Sequence, residues 1–343
     1  MSIQRPSLWL PGAAVAAIVL SGCPSPYVVI QHSPVVAKSS ETVTFTAEVR
    51  NDGAGPANVE ILVNAARVKT CRNLRTGDTC SYTGGPYRAY QGTTVSFLAR
   101  ATDRRGRTDT RGYYYFAVTD NVYGWGVLKP IPARYAGPLG DKFDLAFHRD
   151  SDYADFGDFV DDVEDKLYDV YSEQAIIELP DNFDKFNFWI YPQVASSSGC
   201  GAVGSDADTS MPWRDADAIL HTASLQDCTS DAHFSAEGHN TKAFLHESGH
   251  GVFGLADEYD GCYTYYFEPS PEPNIFNLET TCQAEQTAKS RAPGACWQFT
   301  ACQGGWWGIH QLTDGTVMIR GMVGDPWGIE GTERVEWFFE QLP

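Results

Sequence analysis

The sequence predicts a multidomain protein in which an all-β sandwich precedes an α+β domain. From about residue 27 to residue 120, short segments of alternating apolar and polar residues recur with turn signals between them. After residue 121, apolar strand segments are interspersed with helical periodicity, and one predicted helix carries two histidines at positions i and i+4. The 343 residues, 43% of them hydrophobic, are enough for two domains that each have a core.

The composition indicates an acidic globular protein. The chain has 25 Lys and Arg against 44 Asp and Glu, so its formal charge is −19. A nucleic-acid-binding protein needs a basic face, so we expect no nucleic acid partner. An aromatic content of 13% argues against a disordered chain. Beyond the N-terminal segment no apolar run reaches about 18 residues, which argues against a polytopic membrane protein.

Residues 1–22 are predicted to be a lipoprotein signal peptide. Arg5 precedes a short apolar stretch over residues 8–20, which is typical of an export signal rather than of a membrane-spanning helix. The stretch ends in the sequence LSGC, which resembles the bacterial lipobox and implies cleavage before Cys23 and lipid attachment to its thiol. We therefore expect a protein held at the bacterial cell envelope, at the outer membrane or the cell surface. An ordinary secretory signal is the alternative.

The cysteines agree with export into an oxidising compartment. Of nine cysteines, eight remain when Cys23 is set aside, and this even number suits disulfide pairing. Cys71 and Cys80 are close in sequence and are expected to close a hairpin, while Cys200 and Cys228 bracket a loop-rich stretch. The sequence leaves three pairings open for the remaining four, Cys262, Cys282, Cys296 and Cys302.

Residues 23–120 are predicted to form a β-sandwich. Val43, Phe45, Ala47 and Val49 alternate with polar residues, which is typical of a half-buried strand. Further strands are predicted around Val59, Ile61 and Val63, around Val95, Phe97 and Ala99, and around Tyr113, Tyr115 and Ala117. The pattern resembles the immunoglobulin-like modules of bacterial surface proteins. We interpret this domain as a spacer or, alternatively, as a binding module.

Residues 121–343 are predicted to form an α+β domain. Its expected elements are strands at residues 144–147, 186–191 and 218–221, an amphipathic helix over residues 156–171, and a final helix over residues 335–342. The Gly- and Cys-rich region 261–305 is expected to be irregular and tied by disulfides. The acidic residues between 150 and 165 lack the spacing of a calcium-binding EF-hand loop, so we interpret them as a solvated helix face.

The strongest functional signal is the HExxH motif at residues 246–250. His246 and His250, at positions i and i+4, fall on one face of a helix, so both imidazoles can point at one metal ion. Glu247, beside the first histidine, is placed to act on a water molecule at that ion. The apolar residues 243–245 are expected to pack the helix into the protein.

A catalytic zinc site with two histidines on a helix needs a third protein ligand and keeps one position for water. In metzincins a glycine ends the helix in a left-handed conformation, and the third ligand follows three residues later. Gly254 comes one residue later than in that pattern, and Asp257 lies three residues beyond it. We therefore predict that His246, His250 and Asp257 hold a zinc ion, with Glu258 as the alternative carboxylate.

The stretch HESGHGVFGLADEY, residues 246–259, resembles the signature of the IgA-peptidase family of zinc metalloendopeptidases. The resemblance extends upstream to residues 141–145 and 186–189, and it covers the whole of the predicted α+β domain. It implies a metzincin-like catalytic domain with zinc as its cofactor. It also implies that the Met-turn, the apolar floor beneath the zinc, contains Met318, with Met322 as a second choice.

These observations predict a zinc-dependent endopeptidase that hydrolyses peptide bonds of extracellular proteins or peptides. Glu247 is the expected general base and later the acid that protonates the leaving amine. Tyr259 and Glu258 are candidates for hydrogen bonds to a ligand or to the oxyanion, and a packed tyrosine is the plainer interpretation of Tyr259. We expect a monomer attached to the membrane through its lipid anchor. Three upstream histidines without motif spacing are expected to have no ligand role: His221, His233 and His239.

The competing hypothesis is a non-catalytic adhesin or binding lipoprotein with a structural or vestigial zinc site. The predicted immunoglobulin-like module and surface anchor both suit this hypothesis. Glu247 argues against it, because a structural zinc site fills four protein positions and has no use for an unliganded carboxylate beside the metal. A calcium-stabilised module without catalysis rests only on the acidic composition and ranks last.

Overall fold

The N-terminal part of the chain folds into two stacked β-sheets. The computed structural model describes residues 25–120, 125, 129–172, 182–194, 210–223, 225–258, 271–298, 305–309, 318 and 327–343. Its first eight strands are β1 (Tyr27–Ser33), β2 (Val36–Ala37), β3 (Val43–Asn51), β4 (Ala57–Val63), β5 (Ala66–Leu74), β6 (Thr79–Gly84), β7 (Thr93–Thr102) and β8 (Thr108–Val118). One sheet has the order β1-β3-β6, and the other has the order β2-β8-β7-β4-β5.

Alternating side chains build the core between these two sheets. In β3 the side chains of Val43, Phe45, Ala47 and Val49 are fully buried, and the residues between them are partly exposed. Successive residues of a strand point to opposite faces, so one face of β3 enters the core and the other faces solvent. The predicted alternation of this strand is confirmed.

The alternation in β8 differs from the prediction. The side chains that face the core are those of Tyr114 and Phe116, whereas Tyr113 is 62% exposed. The register between β7 and β8 shifts here, because β8 carries one extra residue opposite the segment from Phe97 to Ala99. Such a bulge moves the following side chains to the other face of the sheet, and periodicity alone does not reveal it.

The second part of the chain is built around a six-stranded mixed sheet. Its strands are β9 (Ile131–Arg134), β10 (Phe143–Arg149), β11 (Phe186–Val194), β12 (Ala216–His221), β13 (Cys228–Ser230) and β14 (His233–Glu237). They have the order β13-β14-β12-β10-β11-β9. The four central strands are parallel, and β13 and β9 run antiparallel at the two edges. A separate ribbon consists of β15 (Trp297–Gln298) and β16 (Trp307–Gly308).

Four α-helices accompany this sheet among the described residues: α1 (Phe156–Asp165), α2 (Thr241–Gly251), α3 (Glu279–Ala288) and α4 (Gly328–Gln341). A π-helical segment, Lys166–Ser172, continues α1, and the two together match the helix predicted over residues 156–171. Helix α2 packs on the sheet through Phe244, whose ring stacks on that of Phe147 with centroids 5.9 Å apart. In the described part of the chain, no helix combines the length and the apolar character needed to cross a bilayer.

Two helices differ from the prediction. Helix α3 lies inside the region 261–305, which the sequence predicts to be irregular. It buries only Cys282 and Gln286, and its two alanines are exposed, so it lacks the apolar periodicity that reveals an amphipathic helix. Helix α4 begins at Gly328, seven residues before the predicted start at residue 335, and the buried apolar residues described in it, Val335 and Phe339, lie in its C-terminal half.

Two disulfides are present in the described part of the chain. Cys71 pairs with Cys80, and this bond joins β5 to β6 across the two sheets of the sandwich instead of closing a hairpin within one sheet. Cys282 pairs with Cys296 and ties the end of the segment after α3 back to that helix. Cys228 is also disulfide-bonded. The other predicted disulfide cysteines lie outside the described residues: Cys200, Cys262 and Cys302.

Polar contacts and shared packing connect the two parts of the chain. The Tyr168 hydroxyl contacts both the Nδ1 atom of His32, at 2.9 Å, and its backbone N–H, at 3.1 Å. Tyr114 donates a hydrogen bond of 2.6 Å to Asp184, which also pairs with Arg134 at 2.7 Å. The sandwich has its own hydrophobic core, and the sheet and helices of the second part share another. The protein is therefore β-rich and multidomain.

Candidate metal centre

Helix α2 presents both histidines of the HExxH motif on one face. The helix begins after Asn240, whose side-chain oxygen accepts a hydrogen bond of 3.1 Å from the backbone N–H of Ala243. The Nε2 atoms of His246 and His250 are 3.2 Å apart. Residues one helical turn apart lie above each other, so the two imidazoles meet at a single point beside the helix.

A left-handed glycine turns the chain back toward this point. Gly254 has a φ of +66°, as the sequence predicts for the residue that ends the helix. Its backbone N–H donates a hydrogen bond of 3.0 Å to the carbonyl of His250. From the other side, Arg334 of α4 donates a hydrogen bond of 2.7 Å to the carbonyl of Phe253. These bonds satisfy carbonyls at the helix end and fix the direction in which the chain leaves it.

The returning chain brings Asp257 to the two imidazoles. Its Oδ1 atom lies 3.3 Å from Nε2 of His246 and 3.3 Å from Nε2 of His250. A tetrahedral zinc ion with bonds of about 2.0 Å has ligand atoms about 3.3 Å apart. The three donor atoms therefore form one face of a tetrahedron of the size that zinc requires, and no fourth ligand atom joins them from the described part of the chain.

The surroundings of the Asp257 carboxylate also suit a metal ligand. The residue is 1% exposed, and neither carboxylate oxygen receives a hydrogen bond from any described residue. Burial alone raises the pKa of Asp257, but His246 and His250 outweigh burial and lower that pKa below its ordinary value. A buried, ionised carboxylate without a hydrogen-bond donor needs a cation beside it, and a metal ion in this position satisfies the need.

A backbone carbonyl orients His250 toward the same point. Its Nδ1 atom lies 2.7 Å from the carbonyl oxygen of Leu255, just after the bend. When Nδ1–H donates to this carbonyl, the lone pair of the neutral imidazole is on Nε2. The bend thus holds the ring of one predicted ligand while it places the carboxylate of the next.

Glu247 is buried beside the predicted ligands and is held by a residue from the sheet. Its Oε2 atom accepts a hydrogen bond of 2.6 Å from the hydroxyl of Thr229 in the edge strand β13. Burial raises the pKa of Glu247, and the neighbouring His246 and His250 act in the opposite direction. Glu247 is not one of the three residues whose ligand atoms converge, so its carboxylate is available for proton transfer.

Glu258, the alternative ligand, is used to hold the loop. Its Oε1 atom accepts a hydrogen bond of 3.0 Å from the side-chain amide of Asn274, and its backbone N–H donates one of 3.0 Å to the carbonyl of Met318. Asn274 also exchanges two hydrogen bonds with the backbone of Ala256, of 2.9 and 2.7 Å. Both neighbours of Asp257 are therefore clamped, and Asp257 is the carboxylate that the structure brings to the histidines.

Met318 lies against the motif helix at its glycine. It is fully buried, and its sulfur would be 2.7 Å from a Cβ atom added to Gly249. The absence of a side chain at Gly249 thus allows a methionine to approach the helix between the two histidines. This is the position that the resemblance implies for a Met-turn residue, and the assignment of that role stays a prediction.

The other predicted site residues lie elsewhere or beyond the description. Cys23, Tyr259 and Met322 lie outside the described residues. The three upstream histidines are placed apart from the metal centre, each beside a carboxylate: His221 at 3.2 Å from Asp227, His233 at 2.7 Å from Asp217 and His239 at 3.4 Å from Glu237. None of them belongs to the group of converging ligand atoms found among the described residues.

Sequence reasoning missed two residues that position the site. Thr229 is 18 residues upstream of Glu247 and reaches it across the sheet edge. Asn274 is 16 residues downstream of Glu258 and reaches it from a separate loop. A lone threonine and a lone asparagine carry no motif, and the contacts depend on tertiary structure, so one sequence offers no signal that could have found them.

No family model and no curated protein matches this chain. Among solved structures, it is similar to the crystal structure of a bacterial immunoglobulin-like domain from the M. primoryensis ice-binding adhesin. The identity is 14% and the TM-score 0.21, and the match covers 28% of this chain and 98% of the other. A likeness of this degree carries no conclusion about activity.

Proposed function

We propose that this protein is a zinc-dependent endopeptidase that is exported and lipid-anchored at Cys23. The observation that carries the proposal is the convergence of three ligand atoms, from the partly exposed His246 and the buried His250 and Asp257, beside a carboxylate that is not among them. The resemblance of residues 246–259 to the IgA-peptidase family supports the same activity. Protein or peptide chains outside the cell are the proposed substrates.

Each residue of the site has a part in hydrolysis. A zinc ion bound there would act as a Lewis acid toward a water molecule and the scissile carbonyl. Glu247 takes a proton from the attacking water and passes it to the leaving amine, which is the work of a general base that becomes a general acid. Burial raises the pKa of Glu247 above its ordinary value, which makes its carboxylate a stronger base toward water. His246, His250 and Asp257 hold the ion and leave one face open.

The disulfides and the bend support the finer parts of the proposal. Cys71–Cys80 and Cys282–Cys296 suit a protein that folds in an oxidising compartment, which agrees with an export signal. The left-handed turn at Gly254 and the methionine below the helix are features expected of a metzincin-like domain. We include this domain type, the lipid anchor and a monomeric state in the proposal.

Replacement of Glu247 tests the activity. We expect the purified protein to contain one zinc ion per chain and to cleave a mixed peptide library in a chelator-sensitive manner. In Glu247→Ala, we expect cleavage to fall by at least about a thousandfold, because general acid–base catalysis and the positioning of water are both lost. The zinc content should stay at the level of the parent protein, since Glu247 holds no metal.

The exposed Glu340 provides the matched control. Glu340→Ala removes a carboxylate from the surface of α4 and should leave both cleavage and zinc content unchanged. Full cleavage by Glu247→Ala would remove that residue from the mechanism. A protein that binds zinc through a fourth protein ligand and cleaves no peptide would instead support the non-catalytic adhesin.

A further inference from the structure

Positive charge in this acidic chain is concentrated in the sandwich. Residues 25–120 contain 12 Lys and Arg against 8 Asp and Glu, a formal charge of +4. Residues 121–343 contain 12 Lys and Arg against 36 Asp and Glu, a formal charge of −24. Such a charge difference between two parts of one chain indicates that the basic part has an anionic partner of its own.

Several of these cations meet at one end of the sandwich. Here the turns after β3, β5 and β7 lie side by side, because the backbone N–H of Ala54 contacts Asp103 at 3.3 Å and that of Asp52 contacts Thr76 at 3.1 Å. The β7–β8 turn carries Arg104 and Arg105, and the region around the β5–β6 turn carries Arg72 and Arg75. We call the surface formed by these four arginines the basic end.

Three arginines of the basic end have uncompensated charge. Arg72, Arg104 and Arg105 are exposed, and no carboxylate of the described residues pairs with them. Of the acidic residues nearby, Asp52 pairs with Arg75 at 3.3 Å, Asp103 pairs with Arg107 at 2.7 Å, and Asp78 accepts a hydrogen bond of 2.7 Å from the backbone N–H of Arg75. An anionic partner would therefore meet guanidinium groups that have no competing intramolecular ion pair.

The chain enters the sandwich at this same end. Tyr27, the first residue of β1, pairs with Asn51, the last residue of β3, and the turn after β3 belongs to the basic end. Cys23, the proposed lipid attachment site, precedes Tyr27 by four residues. Four residues span at most about 14 Å. A lipid on Cys23 would thus keep the basic end within reach of the bilayer surface.

We propose that the basic end docks on the anionic phospholipid headgroups of the membrane that holds the anchor. This inference rests on the lipid anchor in the proposed function and not on the metal centre. Electrostatic attraction between a basic patch and anionic lipids adds to the attachment that the acyl chains provide. The acidic second part of the chain is repelled by the same surface, so docking also keeps it on the side away from the bilayer.

Protection of a sheet edge is a simpler explanation for exposed arginines, and it accounts for only part of this surface. Arg72 lies in the edge strand β5, where a charge discourages pairing with another chain. Arg104 and Arg105 lie in the turn between β7 and β8, and neither of these strands is at an edge of the sheet. Arg104 and Arg105 are therefore the residues to replace in a test of the proposal.

The test is vesicle binding by a truncated chain that starts at residue 24, which lacks the lipid-bearing Cys23 but keeps every described residue. We expect it to bind vesicles that contain phosphatidylglycerol and not vesicles of phosphatidylcholine alone, with binding lost at high salt. Each arginine near the surface contributes about fivefold, so Arg104→Ser/Arg105→Ser should weaken binding about 25-fold. The control Lys38→Ser/Arg88→Ser removes two cations from the opposite end of the sandwich and should change binding less than about twofold.

Three outcomes would overturn the proposal. An equal loss in both double variants would show that net charge acts without a defined surface. Equal binding to both kinds of vesicle would exclude anionic headgroups as the determinant. Binding to a soluble polyanion such as polyphosphate, with no binding to vesicles, would assign the surface to another partner. Because Glu247→Ala should bind vesicles like the parent chain, failure of docking and failure of the endopeptidase are separate results.

Discussion

The position of the Glu247 carboxylate depends on a hydroxyl from another element. Thr229 belongs to the edge strand β13 and donates a hydrogen bond of 2.6 Å to Oε2 of Glu247. Both residues are buried, at 4% and 6% exposure, so water does not readily replace this bond. The side chain of Glu247 is thus fixed before substrate binds, which is the kind of preorganisation that catalysis requires.

Removal of this hydroxyl should slow catalysis and leave the metal in place. In Thr229→Val, which keeps the shape of the side chain, we expect kcat to fall about tenfold to a hundredfold, because a buried hydrogen bond to a charged group is worth about 1.5–3 kcal/mol. The KM and the zinc content should stay near the parent values. Steady-state kinetics and metal analysis measure these quantities.

Thr229→Ser is the matched control, because it keeps the hydroxyl and removes only a methyl group. We expect it to recover most of the parent kcat. If valine and serine variants were equally active, Thr229 would have no positioning role. If both lost zinc, its role would be structural.

The site residues on the helix were predictable, and those that position them were not. The spacing of His246, Glu247 and His250 determines their shared helical environment because the helical repeat is a local property. Gly254 and Asp257 follow from the interval between a helix end and a third ligand, which is also local. Thr229 and Asn274 act through tertiary contacts, and no local pattern encodes such contacts.

At the scale of elements, the bend after α2 determines where the third ligand lies. Gly254 has a φ of +66°, and a Cβ atom added there would be 3.0 Å from Nη2 of Arg334. The loop beyond it is held by Asn274 and by the carbonyl of Met318. The helix, the bend and the loop therefore act as one unit in presenting the ligand set.

Gly254→Ala should weaken metal binding more than it weakens the fold. The alanine methyl group must strain the backbone, at a cost of about 1–2 kcal/mol, and displace Arg334. We expect the zinc affinity to fall about tenfold or more, measured by competition with a chromogenic chelator.

Gly106→Ala separates backbone strain from the loss of the bend. Gly106 has a similar φ of +77°, and nothing lies within 4 Å of a Cβ atom added there. In urea unfolding without metal, this variant should lose about 1–2 kcal/mol of stability and keep the parent zinc affinity. Equal zinc affinity in both variants would show that the bend does not control the ligand set.

The elements themselves show which local signals suffice. The strands around Phe45, Phe147 and Phe188 were predictable because buried apolar runs or strict alternation mark them. Which side chains of β8 face the core was not predictable, because one inserted residue reverses the faces of a strand without changing its composition. Helix α3 was missed because it buries little apolar surface and gives no periodic signal.

For the whole molecule, a buried histidine links stability to pH. His32 is 1% exposed and lies where the sandwich meets the second part, between the rings of Phe97, Phe116 and Tyr168. Burial lowers the pKa of His32 from 6.5 to about 3, and the positive charge of Arg134 acts in the same direction. The folded protein therefore keeps this imidazole neutral at pH values where the unfolded chain protonates it.

The pKa of His32 predicts that stability falls as the pH falls from 6.5 toward 3. In this window the unfolded state binds one more proton, so the unfolding free energy should drop by about 1.4 kcal/mol for each pH unit. Above pH 6.5 His32 does not change the dependence of the unfolding free energy on pH. Urea unfolding at a series of pH values from 6.5 to 4.5 measures the effect.

His32→Gln should remove the contribution of His32 to the pH dependence of the unfolding free energy, because glutamine does not titrate. The control is His239→Gln, which replaces a histidine whose side chain is 70% exposed and should keep the parent slope. The same slope in His32→Gln and the parent protein would show that His32 does not link stability to pH. The comparison uses differences between variants, so acidic groups elsewhere in the chain cancel.

The three proposed ligands all lie within residues 246–257, and this short span has a consequence for the order of assembly. The entropy of closing a loop grows with its length, so a segment this short gathers its ligands at little cost while the sheet is still unformed. The contact of Glu247 with Thr229, and the contacts of Ala256 and Glu258 with Asn274, require the finished tertiary structure. If the proposed function is right, a newly made chain would thus acquire its ion early and its hydrolytic competence late, and the interval between the two would protect the chain from its own activity.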